Sequence, residues 1–206
     1  MTKKKDHKKT RMIKYLNIYH ISEGSRALGP GLRYIIWVQG CMQHCEGCIS
    51  PQSRPMTVNQ LISIETLVES IVAKSDIAGI TISGGEPFLQ ASKLTTLLQE
   101  VKKRRPELTV MVYTGYTIKQ LDSDVAKEFL QYIDLLIDGP YVDELNDEKG
   151  LRGSSNQRLH FLTDRLLSYQ DDLENGGRTN EIIIGKDGTH IIGIPRKDTR
   201  TSIINN

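Results

Sequence analysis

Cysteine is scarce in this chain. There are three in 206 residues, and all fall within Cys41-Met-Gln-His-Cys45-Glu-Gly-Cys48. An odd number at gaps of three and two residues argues against a disulfide framework, because such short spans disfavour an unstrained bridge and one thiol would be left over. Long apolar runs are also missing. Runs such as 133–137, which has an aspartate inside, fall far short of a bilayer span, so no membrane partner is expected. The basic start leads into Ile13-Lys-Tyr-Leu16 rather than a long apolar stretch, so no secretory signal is expected either. A charge excess of one sign is absent overall, with a net of +2 and 25% charged residues. The imbalance is local: residues 1–11 carry a net +5, which leaves the remainder at −3. Residues 1–12 therefore read as a solvated basic tail, and nothing else suggests a nucleic-acid footprint. One domain is expected over 13–195, with 196–206 frayed. Three thiols at metal spacing fit a reducing, cytoplasmic setting.

The remaining pattern is that of an α/β protein. Residues 15–21 alternate as a strand should, and 32–39 form a more continuous apolar run that ends at Gly40, just before Cys41. The stretch after Cys48 reads as irregular. Ser63 is placed to cap a helix with Ile64, Leu67, Val68, Ile71 and Val72 on one face. Strands are expected over 77–83, 108–113 and 133–137. Between them run the helical stripes Leu94, Leu97, Leu98, Val101 and Ile118, Leu121, Val125, Phe129. Such alternation argues for right-handed crossovers and a parallel sheet with outer helices. Four successive strands end in Gly-rich or polar motifs, so their loops should gather along one rim, where α/β folds place their chemistry. Further on, 159–162 reads as a strand, 165–173 as a short helix and 174–178 as a turn or flexible linker. Asp187-Gly188 between two β-branched runs predicts a C-terminal β-hairpin.

Three clustered thiolates suit a metal centre. Structural zinc wants four closed ligands and would have to recruit His44 or a distant histidine. An iron–sulfur cluster is held by thiolates. With only three, one iron of a four-iron cluster stays open to a small molecule. The spacing C-x3-C-x2-C resembles that of the radical S-adenosylmethionine (SAM) superfamily. That resemblance implies a [4Fe-4S] cluster on Cys41, Cys45 and Cys48, with SAM bound to the open iron through its amino and carboxylate groups. Gly47 stands where many members of the superfamily have an aromatic residue.

Other motifs agree. Ser83-Gly84-Gly85-Glu86-Pro87 resembles the GGEP strand end of the superfamily, which implies that Ser83, Gly84, Gly85 and Glu86 border the SAM amino group. Tyr113-Thr114-Gly115-Tyr116, Leu136-Ile137-Asp138-Gly139 and Arg152-Gly153-Ser154-Ser155-Asn156-Gln157 resemble stretches of the glycyl-radical activating enzymes, most closely the anaerobic ribonucleotide reductase activating proteins. By that likeness Thr114, Gly115 and Asp138 line the SAM site. Ser154, Ser155 and Asn156 would meet its ribose or carboxylate, and Arg152 would pair with the carboxylate. Each has a bland counterpart: a strand-to-helix turn, a capping aspartate, a polar loop. Ser50 departs from the asparagine that often follows the last cysteine in these activases.

The resemblance covers roughly residues 16–162 and implies a partial (β/α) barrel. It also implies an activity: a one-electron donor such as flavodoxin reduces the cluster, SAM is cleaved, and the resulting 5′-deoxyadenosyl radical takes hydrogen from a glycine Cα in a partner, anaerobic ribonucleotide reductase. Two other readings stay open: a radical SAM enzyme acting on another peptide or small molecule, and a non-catalytic metal-binding module.

Overall fold

The computed structural model describes residues 15–185 and 188–196. The basic tail expected over 1–12, all but the first residue of the tail expected over 196–206, and Asp187 of the hairpin turn lie outside the described residues.

Seven strands form one open sheet in the order β3-β1-β2-β4-β5-β6-β7. Its centre is β2 (Arg33–Val38), β4 (Gly79–Gly84), β5 (Thr109–Tyr113) and β6 (Leu135–Asp138), all parallel. Antiparallel strands flank this centre: β1 (Tyr15–Ser25) and β3 (Gln60–Ser63) on one side, β7 (Arg158–Phe161) on the other. The two edge strands do not pair with each other, so the α/β arrangement is a partial barrel. β3 lies between the irregular stretch 49–55 and the helix capped by Ser63, where no element is expected from the sequence. It is four residues long, and Leu61 is 55% exposed, so it lacks the apolar alternation that marks a longer strand.

The helices α1 (Ile64–Ala73), α2 (Ala91–Arg104) and α3 (Asp124–Leu130) cover one face of the sheet. Their buried residues Leu67, Ile71, Leu94, Leu98, Val101 and Phe129 form one core with Tyr34, Ile36, Val38, Ile80, Ile82, Val110, Val112 and Leu136. Side chains alternate across a strand, so the neighbours Ile35, Met111, Leu135 and Ile137 face the opposite side. There they meet two smaller clusters, one holding Ala27, Leu28, Ile192 and Ile194, the other Leu166 and Leu173. Leu173 belongs to a short helix α4 (Gln170–Asn175), preceded by a 3-10 stretch over Asp164–Tyr169.

Ser63 caps α1 by accepting a hydrogen bond from Thr66 N at 3.0 Å. The single stripe expected from Ile118 to Phe129 is broken in two. A 3-10 turn over Ile118–Gln120 begins at Thr117, and α3 starts afresh behind Ser123, whose hydroxyl accepts from Ala126 N at 3.2 Å. Two caps within six residues outweigh the apolar spacing, and Val125 is left 47% exposed. The stretch 174–178 is not merely a linker. Arg178 is buried and donates to Asn146 Oδ1 at 2.8 Å and Arg152 O at 2.6 Å, which pins the loop over 146–153. The expected hairpin is present as β8 (Asn180–Gly185) and β9 (Gly188–Gly193).

Candidate active site

The parallel strands β2, β4, β5 and β6 all point their carboxyl ends at one rim, and hydrogen bonds between their loops fix its shape. Gly85 N donates to Val38 O and Glu86 N to Gly40 O, both at 2.8 Å. Cys41 N donates to Arg54 O at 2.9 Å and Gly40 N to Ser53 O at 2.8 Å, so the cysteine loop is held at its root by the turn that follows it. Thr114 N donates to Ile137 O and Gly139 N to Tyr116 O, both at 2.9 Å, which completes the rim.

Cys41, Cys45 and Cys48 line one cavity at this rim together with Ser83, Gly84, Gly85, Glu86, Thr114 and Gly115. Three loops expected to converge from sequence therefore do so. Each cysteine is half-buried, and none is in a disulfide. Among the described residues no three His, Cys, Asp or Glu side chains converge to hold a single metal ion. The thiols instead sit around the wall of a shared space, which suits a group with its own iron and sulfide atoms. Gln43 N donates to Cys41 Sγ at 3.3 Å, and burial pushes the Cys41 thiol up. His44 is exposed in the same loop.

The glycines of the Ser-Gly-Gly-Glu-Pro strand end have a structural reason beyond room for a ligand. A Cβ on Gly85 would lie 2.3 Å from Gly40 O, and one on Gly84, where φ is +97°, would lie 2.7 Å from Val38 N. These residues let the cysteine-bearing strand and its neighbour close on each other. Glu86 is almost fully buried and ties this loop to the next. One carboxylate oxygen accepts from Phe88 N at 3.0 Å and Thr114 Oγ1 at 2.9 Å, and the other from Gly115 N at 2.8 Å. Burial pushes its carboxyl up to about 7, against the opposing pull of those three donors.

The remaining sequence candidates lie outside the cavity lining. Asp138 is buried and accepts from Ile118 N at 2.5 Å, with His160 Nε2 3.1 Å away. Arg152 is ion-paired with Asp147 at 2.7 Å. The Ser154 hydroxyl accepts from Val142 N at 3.1 Å. Ser155 and Asn156 are exposed, and Asn156 Nδ2 donates to Pro140 O at 2.8 Å. None of these five is among the lining residues, whereas their neighbours Gly139, Tyr141, Gly153 and Gln157 are. Gln157 explains the motif. Its Nε2 donates to Gly139 O at 2.7 Å and its Oε1 accepts from Gly153 N at 2.8 Å, which joins the β6 loop to the polar segment.

Sequence reasoning missed Arg54, Trp37, Tyr141 and the hairpin residues Gly193 and Ile194, all of which line the cavity. Arg54 lies six positions after Cys48, and that proximity was the available signal. A second cavity adjoins the first across Trp37, Ile49, Ser50 and Gly193. It is flanked by Tyr19 and by His20 and His190, whose rings stack at 4.4 Å.

Comparison with known proteins adds the family. The profile described as a 4Fe-4S single cluster domain matches residues 27–160. The anaerobic ribonucleoside-triphosphate reductase-activating protein of Enterobacteria phage T4 is 39% identical over 148 residues, 68% of this chain and 91% of that protein. The protein of the same name from Vibrio cholerae is 35% identical over 66% of this chain and 91% of its own length. That of Escherichia coli K12 is 29% identical over 65% and 91%. Among solved structures, QueE from Escherichia coli overlaps 50% of this chain and 53% of its own, at 17% identity and a TM-score of 0.38. With the profile spanning most of the chain and the phage relative covered nearly end to end, the chain belongs to the 4Fe-4S single cluster domain family and, within it, to the anaerobic ribonucleoside-triphosphate reductase-activating proteins.

Proposed function

We propose that this chain is a radical SAM activase that generates a glycyl radical on anaerobic ribonucleoside-triphosphate reductase. One observation carries the reading: three cysteines at C-x3-C-x2-C spacing share a single rim cavity with the Gly84-Gly85-Glu86 and Thr114-Gly115 strand ends. The family membership supports it.

Cys41, Cys45 and Cys48 would hold a [4Fe-4S] cluster. When bound and reduced, the cluster supplies the one-electron cleavage of SAM that yields methionine and 5′-deoxyadenosine, with hydrogen drawn from a glycine Cα of the partner. The chain's own residues bind, orient and exclude water. Ser83, Gly84 and Gly85 present a backbone edge beside the thiols, suited to the SAM amino group. Glu86, Thr114 and Gly115 fix the floor against which the adenosyl part would lie. Asp138, Arg152, Ser154, Ser155 and Asn156 act from outside the cavity lining, holding the β6 loop and the polar segment in place. Flavodoxin is the proposed electron donor and the cytoplasm the proposed compartment. Among the described residues no helix is long and apolar enough to cross a membrane.

The test is anaerobic reconstitution with iron and sulfide, reduction with dithionite, and assay of 5′-deoxyadenosine from SAM, with Cys45→Ala as control. The reductase is then added and its glycyl radical sought by electron paramagnetic resonance. Product that disappears in the variant, together with a reductase radical that needs this protein, is the expected result. SAM cleavage without any radical on the reductase would point to another substrate. A cluster that never cleaves SAM would leave a binding module.

A further inference from the structure

We infer that Arg54 receives the carboxylate of SAM, in place of the Arg152 that sequence reasoning nominates. This rests on the reading that the rim cavity binds SAM. Among the described residues, Arg54 is the one Lys or Arg that lines that cavity. Its Nε is buried and makes no hydrogen bond within the protein. A buried guanidinium N–H without a partner is costly and points to a ligand acceptor. The backbone holds the residue at the thiols: Arg54 O accepts from Cys41 N at 2.9 Å, and Arg54 N donates to Pro51 O at 3.2 Å.

Other buried cations lie away from the cavity lining. Arg152 also has a buried Nε without a partner, but its Nη2 pairs with Asp147 and the residue does not line the cavity. Arg178 is consumed by the loop over 146–153, and Arg33 donates to Ile80 O, Thr81 Oγ1 and Thr109 at the opposite ends of the strands. Among the described lining residues the one Asp or Glu is Glu86, whose two oxygens are occupied by three donors. Besides the open iron of the cluster, a SAM carboxylate entering this space therefore meets one protein cation among the described residues. The planar guanidinium fork matches a carboxylate with two parallel N–H···O bonds.

The test compares cluster-loaded wild type, Arg54→Gln and Arg54→Lys. Equilibrium dialysis gives Kd for SAM and for its decarboxylated analogue, and iron content and thermal melts accompany each sample. Arg54→Gln should weaken SAM binding by about tenfold to a hundredfold, as for a lost charge-assisted bond, and move the analogue less than about twofold. Arg54→Lys should recover part of the loss. Equal weakening of both ligands, unchanged SAM affinity, or failure of both variants to hold iron would overturn the assignment. The last result would make Arg54 a support of the cysteine loop. Wild-type protein that binds no SAM would instead sink the reading on which this inference stands.

Discussion

Replacing Gly85 with alanine tests whether the active rim is held by backbone contact. The added Cβ would sit 2.3 Å from Gly40 O and 2.8 Å from Gly40 C, backbone atoms that cannot rotate away. Ordinary contact begins near 3.4 Å, so the two strand ends must part by about 1 Å. Two hydrogen bonds span that junction, Gly85 N to Val38 O and Glu86 N to Gly40 O. Losing both costs about 1–3 kcal/mol, and overpacking adds about 1–3 kcal/mol, for a total of about 2–6 kcal/mol. Gly85 does not have a positive φ, so the effect is steric and not conformational. Because Gly40 precedes Cys41, the shift also moves a thiol, and a misplacement of about 1 Å can cost about a hundredfold in rate. Gly177→Ala is the control, since nothing lies within 4 Å of its would-be Cβ. The assay is iron content, thermal melting and the rate of 5′-deoxyadenosine formation. A Gly85→Ala protein that melts with wild type and cleaves SAM within twofold of it would refute the reasoning.

Three further outcomes are expected. Glu86 titrates near 7 when folded and near 4.5 when unfolded, so the folded state holds its proton more tightly. Its contribution is therefore most favourable below pH 4.5 and is lost as pH rises to 7, by about 3 kcal/mol at about 1.4 kcal/mol per unit. Wild-type stability measured against Glu86→Gln across pH 5–8 should fall accordingly, and a flat difference would contradict it. Arg33→Met strips hydrogen bonds from Thr81, Ile80 O and Thr109 and leaves neutral acceptors buried, so about 1–3 kcal/mol of stability should be lost in denaturant titration. SAM affinity of the folded holoprotein should stay within about twofold, because Arg33 does not line the cavity. Arg178→Met should loosen the loop over 146–153, read as faster amide exchange there, while exchange in β2, β4 and β5 is unchanged.

The central sheet was legible because strands buried on both faces, such as Arg33–Val38 and Leu135–Asp138, read as short apolar runs ending in glycine or polar turns. The convergence of Cys41, Gly84 and Thr114 followed from direction alone, since parallel strands bring their carboxyl ends together. Which polar residues face inward did not follow. Ser154 and Gln157 are three residues apart in one loop, and hydrogen bonds to Val142 and Gly139 decide which of them meets the cavity. Arg54 escaped notice because its role depends on Pro51–Ser53 turning the chain back beneath Cys41, a path without periodicity. Arg178 did so because a Gly-Gly pair before it reads as a flexible link, while its partners lie about thirty residues away.

The hairpin wall has a consequence for the order in which the protein is made. Gly193 and Ile194 border the same cavity as Cys41, although they lie beyond the family domain that ends at residue 160. Ile192 and Ile194 anchor that wall on Ala27, Leu28 and Ile35, near the opposite end of the described chain. A ribosome therefore releases the thiols and the whole parallel sheet before it releases the segment that shuts their flank. The wall that Gly193 and Ile194 give the thiol cavity, like the stacking of His190 on His20 beside it, is therefore completed only by residues made late among those described.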